Sequence, residues 1–428
     1  MRYLIGFLIV LAFLTGGFLF LFKDNTSEIS ANDLPPVPEA RVLPVATSSF
    51  VVVKTEEDIE NQKPLINPPS EIKAVYMTSW SAGSEKKTDY LIKLIKDTEL
   101  NAVVLDIKDF SGYVTYDIKN SDVEKYGAKQ IRTPKINFLI KKLHDENIYV
   151  IARITIFQDP ILAKARPDLA IHSKEKFIIH NSQFTAETLW LDHKKLAWMD
   201  PASKDVWDYN IAIAKDASNR GFDELNFDYI RFASDGFIGD MKFPIWDDKT
   251  PKNETIRNFF KYLREQLPDV KISADLFGQA TIDSNDLGIG QIIEDAYAYF
   301  DYVCPMVYPS HYANMFLGYK NPANYPYEVV KYSMQSALQK IKNWKLEIGN
   351  SSAISKSPKL RPWLQDFDLG ADYDAEKVKK QIQAVYDSAF GRTESAFGET
   401  KSASSTPELI SGWMLWNPSN VYTREALK

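Results

Sequence analysis

Three aspartates stand where a folded core would ordinarily demand apolar residues. Asp106 closes the run AVVLD, Asp228 the run ELNFD and Asp275 the run ISAD. Side chains alternate between the two faces of a strand, so Asp106 is expected on one face with Lys108, Asp228 with Asn226, and Asp275 with Ser273. An isolated carboxylate is expensive to bury, so each must be ion-paired, hydrogen-bonded or open to a site. Lys108, Arg153 and Arg231 are the nearby cations. Two carboxylates facing each other across a cleft can break a glycosidic bond: one protonates the leaving oxygen, the other attacks the anomeric carbon or activates a water. On this pattern Asp228 is the candidate nucleophile or base and Asp275 the candidate acid. Asp106, Lys108, Arg153 and Arg231 are candidates for binding substrate hydroxyls or tuning the carboxylates. Trp80, Tyr308 and Trp413 are candidates for shaping sugar subsites, with Tyr229 and Trp416 also close to strand ends.

Other chemistries find no support in the residues. The five histidines, His144, His172, His180, His193 and His311, lack the spacing of a metal site, and no cysteine lies beside them. No phosphate-binding glycine loop follows a strand, and no G-x-S-x-G elbow is present. The single cysteine, Cys304, lies inside an apolar run and reads as a core residue. The sequence implies no metal and no cofactor. A net charge of −6 gives no electrostatic footprint for nucleic acid.

The elements that must position these side chains are legible as a pattern. Eight short apolar runs, at 73–80, 102–109, 149–157, 224–232, 271–278, 302–309, 361–367 and 412–418, alternate mostly with segments of helical periodicity. Helices are expected at 88–98, 134–146, 206–219, 254–266, 289–300, 327–342 and 375–390. This alternation predicts a single (β/α)8 barrel, whose active site lies at the C-terminal ends of its strands. Only about ten residues follow the eighth run, so the last helix should be short or missing. The connection 158–204 is unusually long and carries three histidines and two tryptophans, which places a structured, functional loop on the active-site face. The stretch 391–407 reads as an excursion rich in Ser, Gly and Thr.

Before the barrel, residues 3–22 form an uninterrupted apolar run flanked by Arg2 and Lys23. A helix of about 20 residues spans roughly 30 Å, one hydrocarbon core. Residues 1–23 are therefore expected to be a signal anchor or transmembrane helix, with a cleaved signal peptide as the alternative. Either places the barrel outside the cytoplasm. Residues 24–70, punctuated by seven prolines, read as a semi-extended linker that can also help cover the missing eighth helix. The barrel is expected over 71–428.

The segment GFDELNFDYIRF at 221–232, with WMDP at 198–201 and VWDYN at 206–210, makes the chain resemble a bacterial family of glycoside-hydrolase-type domains that carries a domain-of-unknown-function label. AVVLDIKD at 102–109, YVIAR at 149–153, SADLFG at 273–278 and CPMVYP at 304–309 extend the resemblance over roughly 72–420. The resemblance implies a TIM barrel distantly related to α-amylase-type and other retaining glycosidases. In that pattern the nucleophile is an Asp ending the fourth strand, which matches Asp228. The acid is usually a Glu ending the fifth strand, where this sequence has Asp275. The resemblance implies activity on a carbohydrate. With the barrel exported, the expected substrate is a cell-surface or cell-wall polysaccharide, and the alternative is a non-catalytic module that holds such a glycan.

Overall fold

The computed structural model describes residues 57–348, 358–389, 392–393, 400–401 and 407–428. Eight parallel strands form the barrel: β1 (Ile72–Met77), β2 (Ala102–Lys108), β3 (Tyr149–Thr155), β4 (Glu224–Asp228), β5 (Ile272–Phe277), β6 (Tyr302–Met306), β7 (Trp363–Gln365) and β8 (Gly412–Trp416). Each pairs with the next, and β8 returns to β1 in the register Ile72↔Gly412 to Val75↔Leu415. Closure leaves no edge strand exposed. All eight expected strands are present, each somewhat shorter than its apolar run.

Alternation along the strands sorts the core into two layers. Ile72, Ala74, Ala102, Val104, Tyr149, Ile151, Cys304, Trp363 and Met414 fill the barrel interior. Val75, Val103, Leu105, Val150, Ala152, Leu225, Leu364 and Leu415 face the surrounding helices. Those helices are α1 (Glu85–Lys96), α2 (Ile136–Asp145), α3 (Lys204–Asn219), α4 (Lys252–Gln266), α5 (Pro326–Ile348) and α6 (Ala375–Ala389). The helix expected over 289–300 is reduced to Ile293–Tyr297. Gly288 and Gly290 adopt positive φ just before it, and a Cβ at Gly290 would meet the Lys252 carbonyl at 2.8 Å. The chain turns there, so no helix begins earlier.

At the end of the barrel where the strands begin, Arg361 Nη1 grips both oxygens of Glu224 at 2.9 and 3.0 Å, with both side chains fully buried. The guanidinium lies over the Tyr302 ring.

The eighth helix is absent, and the segment after β8 takes its place. Ala426 and Leu427 are buried, and the Leu427 carbonyl accepts from Glu99 N–H at 3.1 Å. Most of the linker lies outside the described residues. Its described part, 57–70, lies against α2 and the chain just before β4. Asp58 accepts from the N–H groups of Asn137 and Phe138 at the start of α2 (2.7 and 3.1 Å), and Leu65 N–H donates to Asp223, just before β4 (2.6 Å). A carboxylate at a helix N-terminus satisfies free N–H groups and favours the helix dipole. The expected excursion at 391–407 and the apolar run 3–22 lie outside the described residues or almost wholly so. Among the described residues no helix is long and apolar enough to cross a membrane.

Candidate active site

The inward face of the barrel changes character at the C-terminal ends of the strands. Tyr76 of β1, Asp106 of β2, Arg153 of β3, Asp228 of β4 and Asp275 of β5 converge in one layer, closed by Trp363 of β7 and Trp416 of β8. Arg153 is the centre. Its Nη1 bonds Asp106 Oδ1 at 2.6 Å, its Nη2 bonds Asp228 Oδ2, and its Nε lies 3.7 Å from Asp275 Oδ2. Tyr76 donates its hydroxyl to the other Asp106 oxygen. Asp275 Oδ1 accepts from Asn226 Nδ2 and Trp363 Nε1, both at 2.8 Å. Trp416 stacks on Tyr76 with centroids 3.8 Å apart, and the Arg153 guanidinium lies over its ring.

One guanidinium therefore serves three carboxylates, and the charges do not balance within the layer. Burial pushes the Asp275 carboxyl well above the usual carboxylate range; the neighbouring Asp228 charge adds to this, while Arg153, Asn226 and Trp363 oppose it. Burial also raises Asp106, against Arg153 and the Tyr76 hydrogen bond. Burial works to lower Arg153, but Asp106 and Asp228 outweigh it and hold the guanidinium protonated. Among the described residues no group of three His, Cys, Asp or Glu side chains could hold a metal ion. The space between the three aspartates is taken by the Arg153 cation.

Above this layer a cavity of about 580 Å³ opens to solvent. Asp228 lies in its floor. Trp198, Tyr229, Phe277, Tyr308 and Trp416 wall it, and Arg231 and Lys194 bring positive charge. Trp198 and Lys194 come from the long connection after β3, which folds back through the Leu191↔Ala197 and Ala170↔Met199 bridges. His172 in that connection is spent internally, its two ring nitrogens bonded to Thr188 Oγ1 and the Pro167 carbonyl. Tyr229 follows Asp228 at φ 54°, a left-handed conformation rare for a non-glycine residue. This turn brings the Tyr229 ring into the cavity wall and its N–H onto Asp228 Oδ1. Burial, then the Asp228 charge, pushes the Tyr229 hydroxyl up to about 12.

A sequence profile described as "putative glycosyl hydrolase domain" matches residues 74–394. The chain belongs to this family. No curated protein matches it. Among solved structures, a hypothetical protein from Ruminiclostridium thermocellum is 37% identical, covering 51% of this chain and 99% of that one at a TM-score of 0.42. The glycoside hydrolase domain of PelA from Pseudomonas aeruginosa is 9% identical, over 83% of this chain and 97% of its own, at 0.38. An α-galactosidase from Thermus thermophilus in complex with stachyose is 12% identical, over 85% and 65%, at 0.42.

In this glycosyl hydrolase family member the residues expected from sequence separate into two groups. Asp106, Arg153, Asp228 and Asp275 meet in one layer, and Arg231 and Tyr308 line the cavity above it. Asp228 is ion-paired to Arg153 and not to Arg231. Lys108 is not at the cavity. A β-bulge between Asp106 and Lys108 puts Lys108 in register with outward-facing Ile154. There it is fully buried, 2.8 Å from Asp159 Oδ2 and 2.7 Å from the Thr155 carbonyl. Trp413 is also removed from the cavity. It lies on the outward face of β8, fully buried, with Nε1 on the Tyr386 hydroxyl of α6. Trp416, on the inward face with Met414, is the site tryptophan of β8. Trp80 is 64% exposed in the one-turn helix Ser79–Ala82 after β1, against Arg132, and does not line the cavity. Tyr76 and Trp363 were missed as site residues. Their only sequence signal is inward parity with Ala74 and with Gln365.

Proposed function

We propose that this domain hydrolyses a glycosidic bond of a cell-surface or cell-wall polysaccharide, with the apolar segment 3–22 tethering it to a membrane on the extracytoplasmic side. The observation that carries the reading is the position of Asp228. It is the one carboxylate of the Arg153 cluster that reaches the cavity, at the strand end where barrel enzymes keep their chemistry. Aromatic rings on the walls suit the apolar faces of sugar rings, and the cavity is large enough for more than one of them. Asp228 acts as nucleophile or base. Asp275, raised by burial, keeps its proton and acts as the acid.

The test compares full-length wild type and Asp228→Asn on a panel of cell-wall and exopolysaccharide preparations, scoring released reducing ends. Hydrolysis by wild type and a loss of about 10²–10⁴-fold in the variant, with an unchanged melting temperature, supports the reading. Equal activity in both overturns Asp228's role.

A second reading, a non-catalytic glycan-binding module, is favoured by the depth of Asp275, which is 1% exposed and does not line the cavity. Glycan retained by both proteins with no product from either would select it.

A further inference from the structure

The cavity contains a cation that the proposed hydrolysis does not use. Arg231 is 7% exposed, yet no carboxylate oxygen lies within 4.0 Å of it among the described residues. Its guanidinium lies 4.7 Å from the Trp198 ring and 4.6 Å from the Phe277 ring. Nη1 is spent on the Phe232 carbonyl and Ser234 Oγ, both at 3.0 Å. Among the described residues Nε and Nη2 have no hydrogen-bond partner. These two nitrogens form the edge of a guanidinium along which two N–H bonds run parallel. That edge matches the two oxygens of a carboxylate.

We infer that Arg231 is a recognition site for the carboxylate of a uronic acid, so that the polysaccharide taken by this cavity is an acidic one. The inference rests on the glycan reading above and narrows its substrate class. A buried cation held between two rings at the cavity wall, with Nε and Nη2 unbonded among the described residues, is costly unless a ligand anion completes it. Lys194 lines the same cavity. Asp192 lines it too, but its oxygens are engaged by the Lys194 and Leu196 N–H groups and by Trp198 Nε1. Asp228 is ion-paired to Arg153, a cation it shares with Asp106 and Asp275. Asp235 remains as an acidic wall residue, so the cavity is not positive overall. Selection must come from the fork itself and not from a general field.

The experiment measures binding and hydrolysis separately on the full-length protein. Oligoglucuronate, oligogalacturonate and oligomannuronate are each compared with their carboxyl-reduced, neutral counterparts and with a sulfated neutral oligosaccharide. Calorimetry is expected to show at least one uronate bound roughly 10- to 100-fold more tightly than its reduced form, the range of a charge-assisted bidentate contact. Arg231→Gln should erase that ratio, and Arg231→Lys should restore only part of it, because Lys keeps the charge and loses the fork. Equal wild-type affinity for uronate and reduced forms, a preference for the sulfated sugar, or no binding by any of them overturns the inference without any variant. Uronate-selective binding without cleavage keeps this inference and removes the hydrolase reading. Cleavage of reduced forms as fast as uronates does the opposite.

Discussion

Asp275 is the residue whose chemistry is most exposed to test by pH. A carboxyl that donates a proton is active below its pKa. Burial raises Asp275, so its loss of function moves upward in pH, and the alkaline limb of the activity profile should lie well above the usual carboxylate range. Asp275→Asn should remove most of the activity and the limb together, which a kcat–pH profile would reveal. A limb that persists in the variant belongs to another group. Arg153 makes a second prediction. Arg153→Met leaves three aspartates without their shared cation and should destabilise the fold by about 3–5 kcal/mol. Without the cation, Asp106 and Asp275 rise further. A carboxyl raised in the folded state contributes stability at low pH that is lost as pH climbs through its folded pKa. The melting-temperature gap between variant and wild type should therefore widen from acid to neutral pH. The individual carboxylates were legible in sequence because Asp is anomalous in an apolar strand. Their convergence on Arg153 was not, since registers between strands more than forty residues apart leave no local trace.

At the scale of single elements, parity decides which side chains reach the cavity. Trp413 and Trp416 of β8 make a controlled pair. Trp413→Ala removes a fully buried ring between β8 and α6 and should cost about 3–5 kcal/mol, read by denaturant unfolding, with turnover per folded molecule retained. Trp416→Ala should weaken glycan affinity and turnover while costing less stability, because the ring is partly exposed to the cavity. The opposite outcome would exchange their roles. The opposed faces of the two rings are readable from spacing, but which face is inward depends on Met414 lying in the interior, and that comes only from the closed sheet. Lys108 shows where parity fails. Two residues apart from Asp106, it should share its face, but the bulge inserts one step and sends it outward to Asp159. No residue type at 106–108 announces a bulge.

For the whole molecule, the eight runs were sufficient to specify the barrel because parallel strands are buried on both faces and read as continuous apolar segments. The segment before β1 was less legible. Its prolines suggest a spacer, yet residues 57–70 bind the ring through Asp58, Gln62 and Leu65. A chain starting at Glu57 should therefore melt higher than one starting at Glu71, and Asp58→Ala alone should cost about 1 kcal/mol as a lost helix cap. Glycan hydrolysis should be unaffected by either, as these contacts lie away from the cavity.

The segment after β8 has a consequence in time. Asn420 Nδ2 donates to the Tyr76 carbonyl at 3.0 Å, and the Tyr422 hydroxyl donates to the same oxygen. The strand that opens the barrel is thus finished by residues made more than 340 positions later. Pairings this distant in sequence are slow to form, because the intervening chain must be ordered first. During synthesis β1 must wait with one side unpaired until β8 has been added, and its Tyr76 carbonyl until residue 422 has followed. The nascent protein cannot close progressively behind the ribosome, and the interval before closure is when it most needs protection from association with its neighbours.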